Sequence, residues 1–305
     1  MRNVIAVGVC ASSASRVAVR WAVRRAALTG ATVVLVHVVD DPSPPPEVSE
    51  DSGGRERRSL EARRFLLHEV RFARALAPGT AVVSQLLWGS VMWELSSASV
   101  GADLIVVGTH KTGFIHGTVY GSTSLQLAAA AACPLVVVPT GLTAQPRGVV
   151  VGADESPAGR AALAVAVAEA AAAREHLVIV RVWSASESAD AGAHDARDEI
   201  GRGAASRLLT SFADSARAAS PGLTVHVRGI QGASARALVD ASPMARLLVL
   251  GSSRARGPGR PVLGAVCHDA LINIVSPTMI VHVEEGEFSP AHAAAPSSAT
   301  MRAVG

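Results

Sequence analysis

The sequence predicts an α/β protein built twice over: two tandem domains, each a five-stranded parallel sheet with helices on both faces. Three observations predict it. The chain repeats itself. VIAVGV from Val4 returns as VVVGA from Val149, and LIVVGTH from Leu104 returns as LLVLGSS from Leu247. Gly89, Gly108, Gly121 and Pro134 have counterparts 143 residues on, at Gly232, Gly251, Gly264 and Pro277; Gly8 and Ser12 pair with Gly152 and Ser156 at an offset of 144. A period this long is a whole domain, not a solenoid unit. Apolar runs alternate with helical patterns, and the runs are continuous, as in strands buried on both faces. The composition is 49% apolar and 3% aromatic, and the apolar share is dominated by Ala and Val, which suits Val-rich strands packed by Ala-rich helices.

Half 1 opens with an apolar run at 3–9. Ser12 and Ser13 follow as helix N-caps, and a helix over 14–29 stops at Gly30, a residue suited to a left-handed C-terminal turn. The second strand is 32–38. Asp40 to Gly54, rich in Pro, Ser and acid, is expected to be a long loop, with Ser52-Gly53-Gly54 a flexible turn within it. A helix over 56–77 ends before Pro78-Gly79. Its Arg55, Arg57, Arg58, Arg63, Arg64, Arg71 and Arg74 are expected on a solvated face, with Leu60, Phe65, Leu67 and Phe72 inward. Strands at 80–87, 103–108 and 135–139 alternate with helices near 90–100 and 119–132. This βαβαβαβαβ order implies right-handed crossovers. Half 2 repeats it, with strands near 148–153, 177–182, 223–230, 246–251 and 278–283 and a loop from Ser184 to Asp198. Thr140 to Arg147 is the linker. The domains are therefore expected at 1–140 and 147–285, and the Ala/Ser/Pro-rich tail 286–305 is expected to be disordered.

A chain of 305 residues suits two such domains. The net charge of +3 is mild and the arginines are spread over several helices, so nucleic acid is not an expected partner. No apolar run reaches the length of a membrane span. VIAVGVCAS faintly resembles a lipoprotein signal, but its counterpart VVVGADES lies mid-chain as a strand and turn, so no targeting signal is expected. Cys10, Cys133 and Cys267 form no CxxC pair and are odd in number, which points to a reducing cytoplasm.

In an open parallel sheet, ligands bind beyond the carboxyl ends of the strands, where strand order reverses. The loops there follow the first and fourth strands. After the fourth strand of half 1 runs Gly108-Thr-His-Lys-Thr-Gly-Phe-Ile-His-Gly-Thr-Val-Tyr-Gly121-Ser122, and a helix follows. Glycines let backbone amides approach a phosphate, and a helix N-terminus favours an anion.

These residues resemble the universal stress proteins in their tandem form, over about 280 residues. The resemblance implies Rossmann-like domains of the adenine-nucleotide alpha-hydrolase type, with strand order 3-2-1-4-5. Nucleotide-binding members carry a glycine, two residues, a glycine, nine residues, then glycine and Ser or Thr. Half 1 has Gly108, then Lys111 in place of the second glycine, and Gly121-Ser122 after nine residues. Half 2 has Gly251, Arg254 in place of glycine, then Gly264 and Ala265, which lacks the hydroxyl. The family's Asp at the end of the first strand is Cys10 after Val9 in half 1 and Asp154 in half 2, followed by Ser12 and Ser156. A valine lining the adenine pocket falls at Val38 in the pair His37-Val38, and at Val182 after Arg181. Both halves thus put a cation in the phosphate loop. Where that backbone needs a positive φ, a side chain costs about 1 kcal/mol; a displaced cation can instead pair with phosphate.

The resemblance implies ATP, with Mg2+, as cofactor, held weakly or in one half, with half 1 ranked ahead of half 2. It also implies that the halves pair through LVVVP (Leu135 to Pro139) and MIVHV (Met279 to Val283) as an internal pseudo-dimer, leaving a homodimer open. Two functions follow: a cytoplasmic stress-response protein that binds adenine nucleotide and changes conformation or affinity for a protein partner, or a nucleotide-independent scaffold with degenerate pockets. No enzyme is expected beyond slow ATP hydrolysis, because no base to orient water is evident; no G-x-S-x-G elbow and no P-loop occur. Cys10 is a candidate redox thiol or simply a small residue in the Asp's place, and Cys133 and Cys267 are expected to be packing residues. His110 and His116 lack further ligands at metal-binding spacing.

Overall fold

The computed structural model describes residues 3–40, 52–110, 123–142, 145–183, 191–254 and 262–284. Half 1 comprises β1 (Val4–Gly8), α1 (Ser13–Thr29), β2 (Thr32–Asp40), α2 (Ser52–Leu76), β3 (Val82–Gly89), α3 (Val91–Val100), β4 (Leu104–Thr109), α4 (Thr123–Ala130) and β5 (Leu135–Pro139). Half 2 comprises β6 (Val149–Gly152), α5 (Pro157–Ala173), β7 (Leu177–Trp183), α6 (Ala191–Ala219), β8 (Val225–Gln231), α7 (Ser234–Asp240), β9 (Leu247–Arg254), α8 (Ala265–Ile272) and β10 (Thr278–Glu284).

The ten strands form one sheet in the order β3-β2-β1-β4-β5-β10-β9-β6-β7-β8. Each half has the order 3-2-1-4-5 expected from the resemblance, and within each half all pairs are parallel. The halves meet where β5 and β10 pair antiparallel, Met279 opposite Val136 and Ile280 opposite Leu135. These are the two segments singled out in the sequence. The antiparallel seam gives the halves a pseudo-twofold relation and points their carboxyl-terminal clefts in opposite directions.

Helices α1, α2, α5 and α6 cover one face of the sheet and contribute to a core shared by both halves, including Ala18, Ala22, Leu66, Ala162, Ala166 and Phe212. The other face is covered by α3, α4, α7 and α8. Coverage on both sides explains why the strands read as unbroken apolar runs. Helix α1 starts as expected: Ser12 Oγ accepts a hydrogen bond from Ser15 N at 3.1 Å. It ends at Gly30 with φ 69°, whose N–H bonds Ala26 O. Its buried face is small residues at helical spacing, Ala14, Ala18, Ala22 and Ala26, so the helix lies close on the sheet. Helix α5 repeats this, with Ser156 Oγ capping Gly159 N and Pro157 in the first turn.

Three expectations are corrected. Ser52-Gly53-Gly54 is the first turn of α2, not a turn in a loop. The loop expected from Ser184 to Asp198 is helical from Ala191 onward. The buried face of α2 is shifted from the one expected: Leu60 and Leu67 are about half exposed, and Ala62, Leu66, Val70 and Ala73 are buried in their place, while Phe65 and Phe72 pack partly against the core. The apolar residues occur on both sides of the arginine-rich stripe, so spacing alone did not choose between them. The tail 286–305 lies outside the described residues, and no described helix is long and apolar enough to cross a membrane.

At the pseudo-twofold axis, α1 and α5 are locked by Arg25 and Glu169, with Arg25 Nε 2.9 and 3.1 Å from the two carboxylate oxygens. The two residues hold equivalent positions in the repeat, 144 apart. Both side chains are largely buried, at 19% and 13% exposure, so breaking the pair leaves a poorly solvated charge. Glu169→Arg is expected to lower the unfolding free energy by about 3 kcal/mol, and the exchange Arg25→Glu/Glu169→Arg to recover most of it. Chemical denaturation of the three proteins measures both effects.

Candidate functional site

The cleft of each half opens where β1 and β4, or β6 and β9, part company. In half 1, Val9 N bonds Val36 O at 2.8 Å as the chain leaves β1 toward β2; in half 2, Ala153 N bonds Val180 O at 2.8 Å in the same way. Cys10 and Asp154 follow at the mouths.

Gly108 and Gly251 stand against the first turn of α1 and of α5. A Cβ on Gly108 would lie 2.0 Å from Ala14 O, and one on Gly251 2.3 Å from Ala158 O. The helices approach the strands so closely that only glycine fits. These two glycines are therefore required by helix-on-strand packing whether or not a phosphate lies above them.

The residues after the first strand differ between halves in a compensated way. In half 1, Cys10 N donates to Ser15 Oγ at 3.1 Å, and the Cys10 thiol lies 3.3 Å from Ser12 Oγ. In half 2, the position equivalent to Ser15 is Gly159. Its missing side chain leaves room for Asp154, whose Oδ1 would lie 2.5 Å from a Cβ there. Asp154 Oδ1 accepts from Ser156 N at 2.7 Å. So Asp goes with Gly and Cys goes with Ser: either the carboxylate or the hydroxyl fills the turn. One carboxylate oxygen of Asp154 is spent on the turn, and the half-buried group is held in a fixed orientation at the mouth of β6.

A second pair was not anticipated from the sequence. His37 Nδ1 lies 2.8 Å from Val9 O, and Arg181 Nη1 donates to Ala153 O at 3.1 Å. Each half thus uses the residue before Val38 or Val182 to hold the carbonyl just past the end of its first strand. This fixes where Val38, half-buried, and Val182, buried, meet the cleft. His37 also packs on Phe65, ring centroids 4.9 Å apart.

The start of α8 lies at the carboxyl end of β9. Gly264 is its N-cap and forms no side-chain cap bond, and Gly264, Ala265 and Val266 are exposed. Helix amides there have no side-chain acceptor from the cap. A Cβ on Gly264 would lie 4.0 Å from Ser252 Oγ, so this terminus sits beside the end of β9. Ser252 and Cys267 are buried, and Cys267 Sγ donates to Gly251 O at 3.3 Å. Burial pushes the Cys267 thiol up from 9.0 to about 12; a hydrogen bond with Ser252 opposes the shift and the Asp154 charge adds to it. Cys267 and the start of α8 therefore both lie beside Ser252. Ser252 and its equivalent Thr109 are both buried hydroxyls after the packing glycine, which the glycine motif alone did not reveal.

Of the residues predicted from sequence, the structure brings Asp154, Ser156, Val182, Gly251 and Gly264 to one end of half 2, and Val9, Cys10, Ser12, Val38 and Gly108 to one end of half 1. Lys111, Gly121 and Ser122 lie outside the described residues, as does His116. Arg254 ends β9, its backbone in register with Glu284 of β10. Among the described residues no group of three or more His, Cys, Asp or Glu is placed to hold a metal ion.

Sequence comparison identifies the frame. The universal stress protein family matches residues 1–139 and again 146–282. The chain belongs to the universal stress protein family. A universal stress protein of Mycolicibacterium smegmatis is 30% identical over 290 residues, covering 91% of this chain and 96% of its own. One from Mycobacterium tuberculosis is 29% identical over 278 residues, covering 86% and 90%. The crystal structure of a universal stress protein from Archaeoglobus fulgidus superposes with a TM-score of 0.64 at 18% identity, over 92% of this chain and 96% of its own, and so shares the fold. The tandem arrangement of this universal stress protein thus extends to full-length relatives.

Three outcomes are expected. Gly108→Ala and Gly251→Ala each destabilise the protein by about 2–3 kcal/mol through overpacking, seen as a lower denaturation midpoint without any ligand. The raised thiol of Cys267 makes folding stability pH-dependent: the contribution is intact below pH 9, where the thiol is neutral in both states, and declines as pH rises toward about 12, because the unfolded thiol ionises first. Relative to wild type, Cys267→Ala should flatten the fall in unfolding free energy above pH 9, and exposed Cys10 should react with a thiol reagent in the native protein while Cys267 does not.

Proposed function

We propose that this universal stress protein is a stress-response regulator that binds an adenine nucleotide, ATP with Mg2+, in one half only, and that half 2 is the binding half. The observation that carries the proposal is the Asp154 carboxylate, held in a fixed orientation by Ser156 N at the mouth of β6, in the half whose α8 starts beside the end of β9. Asp154 keeps one oxygen for a ribose or base donor after Oδ1 has bonded Ser156 N. Val182 offers an apolar wall for the base. The amides at Gly264 to Val266 suit phosphate oxygens. Mg2+ arrives on the nucleotide and needs no protein cluster of its own.

Half 1 is the non-binding half in this reading. Its turn is closed by Cys10, Ser12 and Ser15 bonding one another, with no carboxylate among them. That half then serves to position half 2 and to meet a protein partner. Three cysteines that form no disulfide with one another fit a reducing cytoplasm.

Calorimetry with MgATP tests this. One nucleotide per chain is expected. Asp154→Asn keeps the turn-forming oxygen but removes the charge, and is expected to weaken binding about tenfold to a hundredfold. Cys10→Asp in half 1 is expected to leave the stoichiometry at one, because Ser15 occupies the space that Gly159 leaves open in half 2. No heat and no rise in melting temperature with MgATP would overturn the nucleotide reading and favour a nucleotide-independent scaffold; binding indifferent to Asp154→Asn would remove half 2 as the site.

A further inference from the structure

A second cavity lies far from both clefts. It occupies about 360 Å³ between the halves, in the size range of small-molecule sites, about 300–1,000 Å³. Its half 2 wall is the amino-terminal end of the sheet, at Val149, Leu247 and Pro277, opposite to the carboxyl ends where Asp154 and Gly251 sit. The α1 wall supplies Trp21 and Leu28, and the linker closes it with Leu142 and Pro146.

The repeat explains why this space is hollow. Arg20, Trp21, Arg24 and Leu28 of α1 have as equivalents Ala164, Val165, Ala168 and Ala172 of α5. Large residues on one side of the pseudo-twofold axis face small ones on the other. Two identical helices would fill the gap or clash; these two leave a slot, with Ala172 and Ala173 on its α5 wall.

The charge around it is unbalanced. Four arginines are among the lining residues, Arg20, Arg24, Arg25 and Arg246, against the single acidic residue Glu169. That carboxylate is already held by Arg25 through two oxygens. Arg20 lies over the Phe72 ring at 5.9 Å. Arg24 and the half-buried Arg246 have no ion pair among the described residues. Thr143 and Ala144, the linker residues beside the cavity in sequence, carry no charge.

We propose that this cavity binds an amphiphilic organic acid, a monocarboxylate with a hydrocarbon tail. The tail lies on Trp21, Leu142, Val149 and Leu247, and the head pairs with Arg246 and Arg24 in the manner that Arg25 already shows with Glu169. Arginine suits this role because its planar fork matches a carboxylate. Such a ligand touches α1, the linker and the start of three half 2 strands, so it bridges the halves and stabilises their seam by mass action.

The test is calorimetry of the full-length protein with octanoate, 1-octanol and octylammonium. Octanoate is expected to bind once per chain, about tenfold or more tighter than 1-octanol, with octylammonium weaker still. Arg246→Gln is expected to weaken octanoate binding about tenfold while leaving 1-octanol unchanged. Ala172→Leu, which gives α5 the side chain that α1 carries at Leu28, narrows the slot and is expected to weaken both. Asp154→Asn and saturating MgATP are expected to leave octanoate binding unaltered, which separates this site from the nucleotide cleft. Absence of octanoate binding at millimolar concentration would overturn the proposal. So would equal affinity for octylammonium, octanoate affinity indifferent to Arg246→Gln and Ala172→Leu, or displacement by MgATP.

Discussion

The antiparallel pairing of β5 with β10 is the constraint on which the rest of this molecule depends. Each half ends its sheet at its fifth strand, and an exposed strand edge is a row of unpaired backbone groups. Joining the two edges satisfies both and leaves β3 and β8 as the outer strands of a ten-stranded sheet. It also dictates where everything else lies. Because the seam is antiparallel, the two clefts open to opposite ends, and no ligand can span both. Because the seam is central, α1 and α5 become neighbours on one face, and the interhalf cavity and the Arg25–Glu169 pair arise there.

Duplication supplied symmetry, and later substitution broke it at the axis. A residue on a twofold axis meets its own copy, so a homodimer with Arg at this position would set Arg against Arg. In a single chain the two copies are free to differ, and Arg25 faces Glu169. The same freedom put alanines on α5 opposite the large side chains of α1, and a hollow with surplus positive charge resulted. In the clefts the divergence is compensated: Asp154 with Gly159, and Cys10 with Ser15, each complete the same turn by different atoms. The two halves therefore keep one backbone design while presenting different chemistry at the mouths.

The packing glycines show how a motif can have two explanations. Gly108 and Gly251 stand at the head of a phosphate-loop pattern, yet a Cβ at either would overlap the backbone of the first turn of the neighbouring helix. Their presence in both halves is already accounted for by packing. Asp154 carries more information about a ligand, because its turn uses one carboxylate oxygen and leaves the other for a further donor.

The fold class was legible in the chain itself, whereas strand order and the segments that pair the halves came from its resemblance to the universal stress proteins. Apolar periodicity, caps such as Ser12 and Gly30, and the 143- to 144-residue repeat are local or self-referential signals, and each needs only the sequence to be seen. The inward face of α2 was not legible, since apolar residues flank its arginines on both sides and only contact with β2 and β3 chooses Leu66 over Leu67. Nor was the bond from His37 or Arg181 to the first strand, or the cavity at the axis. Those depend on which residues distant in the chain come within a few ångströms of each other, and that is set by the helix-to-sheet distance and the geometry of the seam, quantities that exist only once the chain has folded.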